Sequence, residues 1–190
     1  MVNTMTYSVI TPAAAEPVTA AELRRAQRLF DDETQHDAEL ASLAKSAREV
    51  AEQQAGIWVM PQTVRLSLTY WPTTVRVPRG PVRSVEAVTL WTGAAWDVVD
   101  TSLYVAEQQG TEFVIEPVNG WPSPANKPGA RVRVDLKVGW PDAASVPECV
   151  KRFILAQVAA WFDNPAAAQM QRLQPHPYLS GLLDPVRTFA

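Results

Sequence analysis

The stretch "SVPECVKRFILAQVAAWFDNP", residues 145–165, decides how the rest of the chain is read. Between Val150 and Phe162 only Lys151, Arg152 and Gln157 are polar. Ser145 and Glu148 make an S-x-x-E capping signature. Pro147 falls in the first turn, where its missing N–H costs nothing, and Pro165 sets the end at about Asn164. A helix apolar around so much of its girth suits a place among other helices, not a surface. Its partners are expected to be an N-terminal helical pair on one side and the C-terminal tail or a neighbouring subunit on another.

The N-terminal pair is legible. "PVTAAELRRAQRLF" opens with Thr19-x-x-Glu22, a capping box, and Leu23, Ala26, Leu29 and Phe30 follow on one face. After the connector "DDETQHD" a second helix is expected from about Asp37 to Gln54. Leu40, Leu43, Ala44, Ala47, Val50 and Ala51 form its stripe, and Gly56 its stop. Glu39, Lys45, Glu49 and Glu52 are expected largely off that stripe.

From about residue 59 the period changes to two. "QTVRLSLTY" and "ARVRVDLKVGW" alternate cleanly. "TTVRVP", "RSVEAVTLW", "AWDVVD", "SLYVAEQ" and "EFVIEPV" are shorter strand candidates between Pro, Gly and Asn turn signals. Alternation means one buried and one wet face, hence an antiparallel sheet, sandwich or small barrel, and no βαβ rhythm is present. The expected class is α+β. A small helical bundle (16–57 and 142–172) carries an inserted antiparallel β region (58–141), and an extended tail (173–190) follows. "QPHPYLSGLLDPVRTFA" in that tail mixes prolines with large apolar residues, which disordered segments usually lack.

The chain has 190 residues with a formal charge of −3, so no overall basic field draws it to nucleic acid or membrane. Residues 16–57 hold nine acids and five bases, which makes the helical pair the acidic part. No apolar run approaches the ~18 residues of a membrane span, and the N-terminus carries no targeting pattern; Met5 is a candidate natural start. The single cysteine, Cys149, is expected to be a buried, inert thiol.

Chemistry is sparse. Asp31, Asp32, Glu33, His36 and Asp37 offer oxygen ligands and an imidazole. Their spacing matches neither a calcium loop nor a zinc site, and capping and solvation explain them better. His36 and His176 are the only histidines. No nucleophile elbow, Walker loop, G-x-G-x-x-G, HExxH or C-x-x-C occurs, so neither catalysis nor a cofactor is expected. Trp71, Trp91, Trp96, Trp121 and Trp140 raise the alternative of a non-catalytic module stacking a glycan on a Trp-rich β face. Ordinary packing at strand ends competes with it, since Trp71, Trp121 and Trp140 each precede a proline. Arg76, Arg79, Arg83, Arg131, Arg133 and Lys137 form the densest basic set; a solvated strand face is the ordinary reading, contact with phosphates or an acidic partner the sharper one.

Several phrases in order carry a resemblance: "YSVITPAAAEPVTAAEL", "LASLAKSAREVAEQQAG", "PQTVRLSLTYWP", "PRGPVRSVEAVTL", "LKVGWPDAASVPECVKRFILAQVAAWFDN" and "LSGLLDPVR". Together they span nearly the whole chain. The sequence resembles the head–tail connector, or adaptor, proteins of long-tailed bacteriophages and gene-transfer agents, in the longer subfamily with a β insertion. The resemblance implies a structural virion protein without catalysis, made in the bacterial host cytoplasm and sited at the head–tail junction. It implies a homo-oligomeric ring, typically twelvefold, between the portal protein and the head-closure or tail-completion protein, with double-stranded DNA passing through. The C-terminal segment would dock on the portal through Tyr178, Leu182, Leu183, Val186, Arg187 and Phe189. Arg76, Arg79, Arg131 and Arg133 are the candidate contacts of the insertion with a neighbour or the next ring. Glu39, Glu49 and Glu52 are the acidic candidates for the channel wall.

Overall fold

The computed structural model describes residues 5–163 and 177–187, without the side chains of 177 and 178. The chain is α+β and divides into two compact units. One unit is helical and consists of Ala14–Met60 with the described residues from Trp140 onward. The other is β and consists of the described residues up to Ala13 with Pro61–Gly139.

In the helical unit α1 spans Ala20–Ala26, a 3-10 turn Thr34–His36, α2 Asp37–Ala55, α3 Glu148–Asp163 and α4 Pro177–Gly181. A second 3-10 turn covers Asp184–Val186. The box at α1 forms: the Glu22 N–H donates to Thr19 Oγ1 at 3.2 Å, and the Thr19 N–H donates to the Glu22 carboxylate at 2.7 Å. These bonds hold Glu22 below the ordinary carboxylate range. The helix is shorter than the periodicity suggests, because Arg28 takes a left-handed φ of 60° and turns the chain out. Phe30 therefore lies outside the expected stripe and is 75% exposed.

Leu40, Ala44, Ala47 and Ala51 of α2 are fully buried, and Gly56 ends the helix with φ 66°. Such a φ costs glycine nothing and any other residue strain. Small residues along the stripe let α2 lie close to α3, whose Val150, Phe153, Ile154 and Val158 are buried. α1, α2 and α4 pack against α3, but Leu155, Trp161 and Phe162 are only partly buried, so the helix is not covered around its whole girth as its composition suggests. At its start Asp142 is the carboxylate that accepts from the Ser145 N–H, at 2.8 Å, and Glu148 pairs with Arg152 at 3.5 Å. Cys149 is only partly buried, contrary to expectation, because the first turn of α3 leaves that position at the margin.

The β unit holds eight strands: β1 Met5–Thr11, β2 Gln62–Leu68, β3 Val75–Val77, β4 Val82–Trp91, β5 Trp96–Val98, β6 Tyr104–Gln109, β7 Glu112–Pro117 and β8 Val132–Val138. Five form one antiparallel sheet, β1-β2-β8-β4-β5, and three another, β3-β7-β6. Val64, Leu66 and Leu68 of β2 stand opposite Leu136, Val134 and Val132 of β8 and are buried with them. Val75, Val77, Phe113, Val114 and Ile115 supply the buried residues of the second sheet. On β4 the register against β8 slips twice, between Val82 and Ser84 and between Val85 and Ala87. Those bulges explain why "RSVEAVTLW" does not alternate cleanly.

Sequence reading assigns no element to residues 5–11. They form the outer strand of the larger sheet, in register with β2 from Met5↔Leu68 to Val9↔Val64.

Candidate interaction surfaces

The residues singled out by sequence fall in four places, and the structure does not gather them into one site. The acidic candidates lie on α2. Glu39 and Glu49 have exposed side chains, at 57% and 58%. Glu52 does not stay off the buried stripe as expected, being only 7% exposed. Its Oε1 accepts from Arg48 NH1 at 3.1 Å and from the Val59 N–H at 2.9 Å. Glu52 therefore ties the chain after α2 to the helix and presents no charge at a surface.

Arg48, 5% exposed, is the centre of that arrangement. Its Nε donates to Glu16 Oε2 at 2.8 Å. Burial pulls the guanidinium pKa down, but the Glu16 and Glu52 carboxylates outweigh it and hold the group above its ordinary value. Sequence periodicity gives no hint of this, because Glu16 is 32 positions away.

The connector before α2 is structural where it is engaged. Arg24 NH1 sits 2.6 Å from both Asp37 oxygens, Glu33 accepts from the Phe30 N–H, and His36 meets Phe162 edge-on at 5.4 Å. Among the described residues no cluster of three His, Cys, Asp or Glu side chains is able to hold a metal ion. None of the described helices is long and apolar enough to cross a membrane.

The basic candidates are scattered over the β unit. Arg76 on β3 is exposed and pairs with Glu112 at 3.1 Å. Arg79 follows β3 and acts electrostatically on Tyr7 of β1, whose phenol burial pushes up. The Arg131 Nε donates to the Lys127 carbonyl at 2.9 Å. Arg133 lies 3.7 Å over the Trp96 ring, and burial, reinforced by Arg65, lowers its pKa. Arg65, which the sequence did not single out, forms a two-pronged pair with Asp135 (2.7 and 2.8 Å) directly across β2 and β8.

Four of the five singled-out tryptophans make ring or cation contacts within the β unit, and the fifth, Trp140, belongs to the helical unit. Trp71 and Trp121 stack on each other at 3.9 Å and 3°. Trp91 and Trp96 meet edge-on, with Lys127 Nζ 4.5 and 4.3 Å from their centroids. One face of Trp71 and one of Trp121 are taken by their mutual stack, and Trp91 and Trp96 carry a cation. The glycan reading gains nothing from this arrangement.

In the tail, Leu183 is fully buried and belongs to the core of the helical unit, where the sequence placed it with the docking residues. Leu182 and Val186 are partly exposed. Arg187 pairs with Asp184 at 3.0 Å. Tyr178 starts within α4, its side chain outside the described residues, and Phe189 lies outside them altogether.

A helical unit of three main helices joined to a two-sheet antiparallel unit, with a short tail helix returning to the core, is the class that this fold defines. Solved structures with a similar fold include chains of gene transfer agent particles. A chain in the neck of an empty gene transfer agent particle, computed with C6 symmetry, is 21% identical over 97% of this chain and 96% of that one, with a TM-score of 0.79. A chain in the virion of a native gene transfer agent particle is 22% identical with the same coverage and TM-score. A chain in the neck of the native particle, computed with C12 symmetry, is 19% identical over 95% and 96%, with a TM-score of 0.69. No family model matches the chain, and no curated protein matches it.

Proposed function

We propose that this chain is a structural virion protein, a subunit of the adaptor ring between the portal and the head-closure or tail proteins, through which DNA passes. The observation that carries the reading is the extent of the structural likeness. It covers 97% of this chain and 96% of the neck chain, so both units and the connections between them are shared. Ordered sequence phrases that resemble connector proteins support it independently.

In this reading the protein works by geometry and surface charge, without a reacting group. A ring of about twelve copies would surround double-stranded DNA. Exposed Glu39 and Glu49 are its candidates for the wall, since like charge keeps a phosphate backbone from adhering. Leu182, Val186, Arg187, Tyr178 and Phe189 are the candidate portal contacts, with Leu183 anchoring the segment that presents them. Arg76, Arg79, Arg131 and Arg133 are candidates for contacts between subunits or rings.

The test is capture by a purified portal ring, followed by co-elution on size exclusion. The full chain is expected to co-elute, and the L182E/V186E variant to lose at least tenfold in apparent affinity while keeping its helical circular dichroism. Equal capture of both would remove the tail from the portal contact. No capture of either would remove the adaptor reading.

A further inference from the structure

Among the described residues the chain passes between its two units three times: from Ala13 to Ala14, from Met60 to Pro61 and from Gly139 to Trp140. On the helical side these connections belong to segments far apart in sequence, yet one line of polar contacts takes hold of all three. Near the first, Glu16 Oε2 accepts from Arg48 Nε at 2.8 Å. Arg48 NH1 donates to Glu52 Oε1 at 3.1 Å, and that same oxygen accepts from the Val59 N–H at 2.9 Å, just before the second connection. The Val59 carbonyl in turn accepts from the Trp140 N–H at 3.1 Å, at the third. Glu16, Arg48, Glu52, Val59 and Trp140 therefore form one continuous path, lying wholly within the helical unit, that reaches every place where the chain leaves it.

The path is buried. Arg48 and Glu52 are nearly closed off from solvent, and Val18, Ile57, Trp58, Val59 and Met60 on the connecting segments are buried with them. A polar network in such a place is strong when complete and intolerant of gaps. Packing alone does not call for it: elsewhere on the buried stripe of α2 the same job is done by Leu40, Ala44, Ala47 and Ala51. An apolar residue in place of a buried ion is often as stable or more so, so stability is a weak reason for a cation here. What arginine adds is a planar fork whose donors point in different directions. Arg48 uses it to join α2 to a carboxylate 32 positions upstream and, through Glu52, to a backbone amide seven positions beyond that residue.

We propose that Arg48 is the post to which all three connections are fastened, a conformational device that makes the helical and β units yield together. With the guanidinium in place, the segments holding Glu16, Val59 and Trp140 cannot shift independently of α2. Without it each unit keeps its own core, because neither the Leu40–Ala51 stripe nor the β2–β8 pairs use the network. The connections, however, are released from the helix, and opening of one unit no longer carries the other with it. The device belongs to the single chain and does not depend on the adaptor role.

The test follows urea unfolding of the full chain with two signals, helical ellipticity for the one unit and the near-ultraviolet signal of the Trp71–Trp121 stack for the other. Amide hydrogen exchange is read beside it at Val59 and Trp140, with Ala47 in the core of α2 as the internal reference. In the parent chain the two transitions are expected to coincide, and all three amides to exchange at similar rates. Arg48→Met is expected to separate the transitions and to speed exchange at Val59 and Trp140 at least tenfold relative to Ala47. Because that change leaves two buried carboxylates facing each other, a second variant, Glu16→Gln/Arg48→Met/Glu52→Gln, removes the charges together. It is expected to keep the helical ellipticity of the parent and to show the same separation and the same faster exchange. Coincident transitions in the triple variant, with Val59 and Trp140 still exchanging in step with Ala47, would reduce the network to a contribution to stability and overturn the proposal. Separate transitions in the parent would overturn it equally.

Discussion

Arg48 sits in the helical core because two carboxylates surround it, and the arrangement is sensitive to the loss of any one member. Removing the guanidinium would leave Glu16 and Glu52 close to each other in a poorly solvated place. Breaking such a buried network typically costs ~3–5 kcal/mol, and Arg48→Ala is expected to lower stability by about that amount in urea unfolding. Glu22 gives a smaller, pH-coded effect. Its pKa is lowered in the folded chain, first by the Thr19 N–H and then by the Thr19 hydroxyl. A lowered carboxylate contributes stability above its unfolded value of 4.5, and that contribution disappears as the pH falls through the folded value. Glu22→Ala is therefore expected to be less stable than the parent at pH 7, with the difference shrinking below 4.5 when midpoints are compared across pH. Thr19 and Glu22 were legible because a capping box is local, three positions apart. Arg48 was not, because its partner Glu16 is distant in sequence and an arginine near an apolar stripe ordinarily points to solvent.

At the scale of elements, the two cleanly alternating strands and the apolar helix were the readable parts, since periodicity reports burial of one face directly. β2 and β8 pair with each other within the larger sheet, and α3 buries Val150, Phe153, Ile154 and Val158 while packing against the other helices. β1 carried the same signal, Met5, Tyr7 and Val9 against Thr6 and Ser8, in a short segment followed by Thr11-Pro12 and an alanine run that reads as a lead-in. The role of Leu183 was not readable either. Its environment comes from the helical core, and nothing local separates it from Leu182. Leu183→Ala is expected to cost ~2–5 kcal/mol, in the range for a leucine lost from a packed core, whereas Leu182→Ala should change the unfolding midpoint little. Equal effects of the two would mean that the tail is not docked as described. The Trp71–Trp121 stack links residues 50 positions apart in sequence. Trp121→Ala is expected to lower the midpoint of the β unit and to change near-UV circular dichroism, with no response to added sugars in the parent chain.

For the whole molecule, the sequence phrases pointed to a connector, and the likeness to chains of gene transfer agent particles extends over both units despite 19–22% identity. That combination is expected when a fold is held by patterns and not by particular side chains: alternation in β2 and β8, small residues on α2 and capping at α1 survive extensive substitution. Surfaces are different. Whether Arg79 meets a neighbour or Glu49 faces a channel depends on an assembly that no local pattern encodes. The most direct measurement of the central claim is the mass and symmetry of the purified 20.9 kDa chain, by mass photometry and by electron microscopy of the same sample with and without a portal ring. The account predicts closed rings of about twelve copies with an open centre, formed alone or on the portal. A chain that stays at 20.9 kDa in both conditions and leaves the portal bare would contradict it.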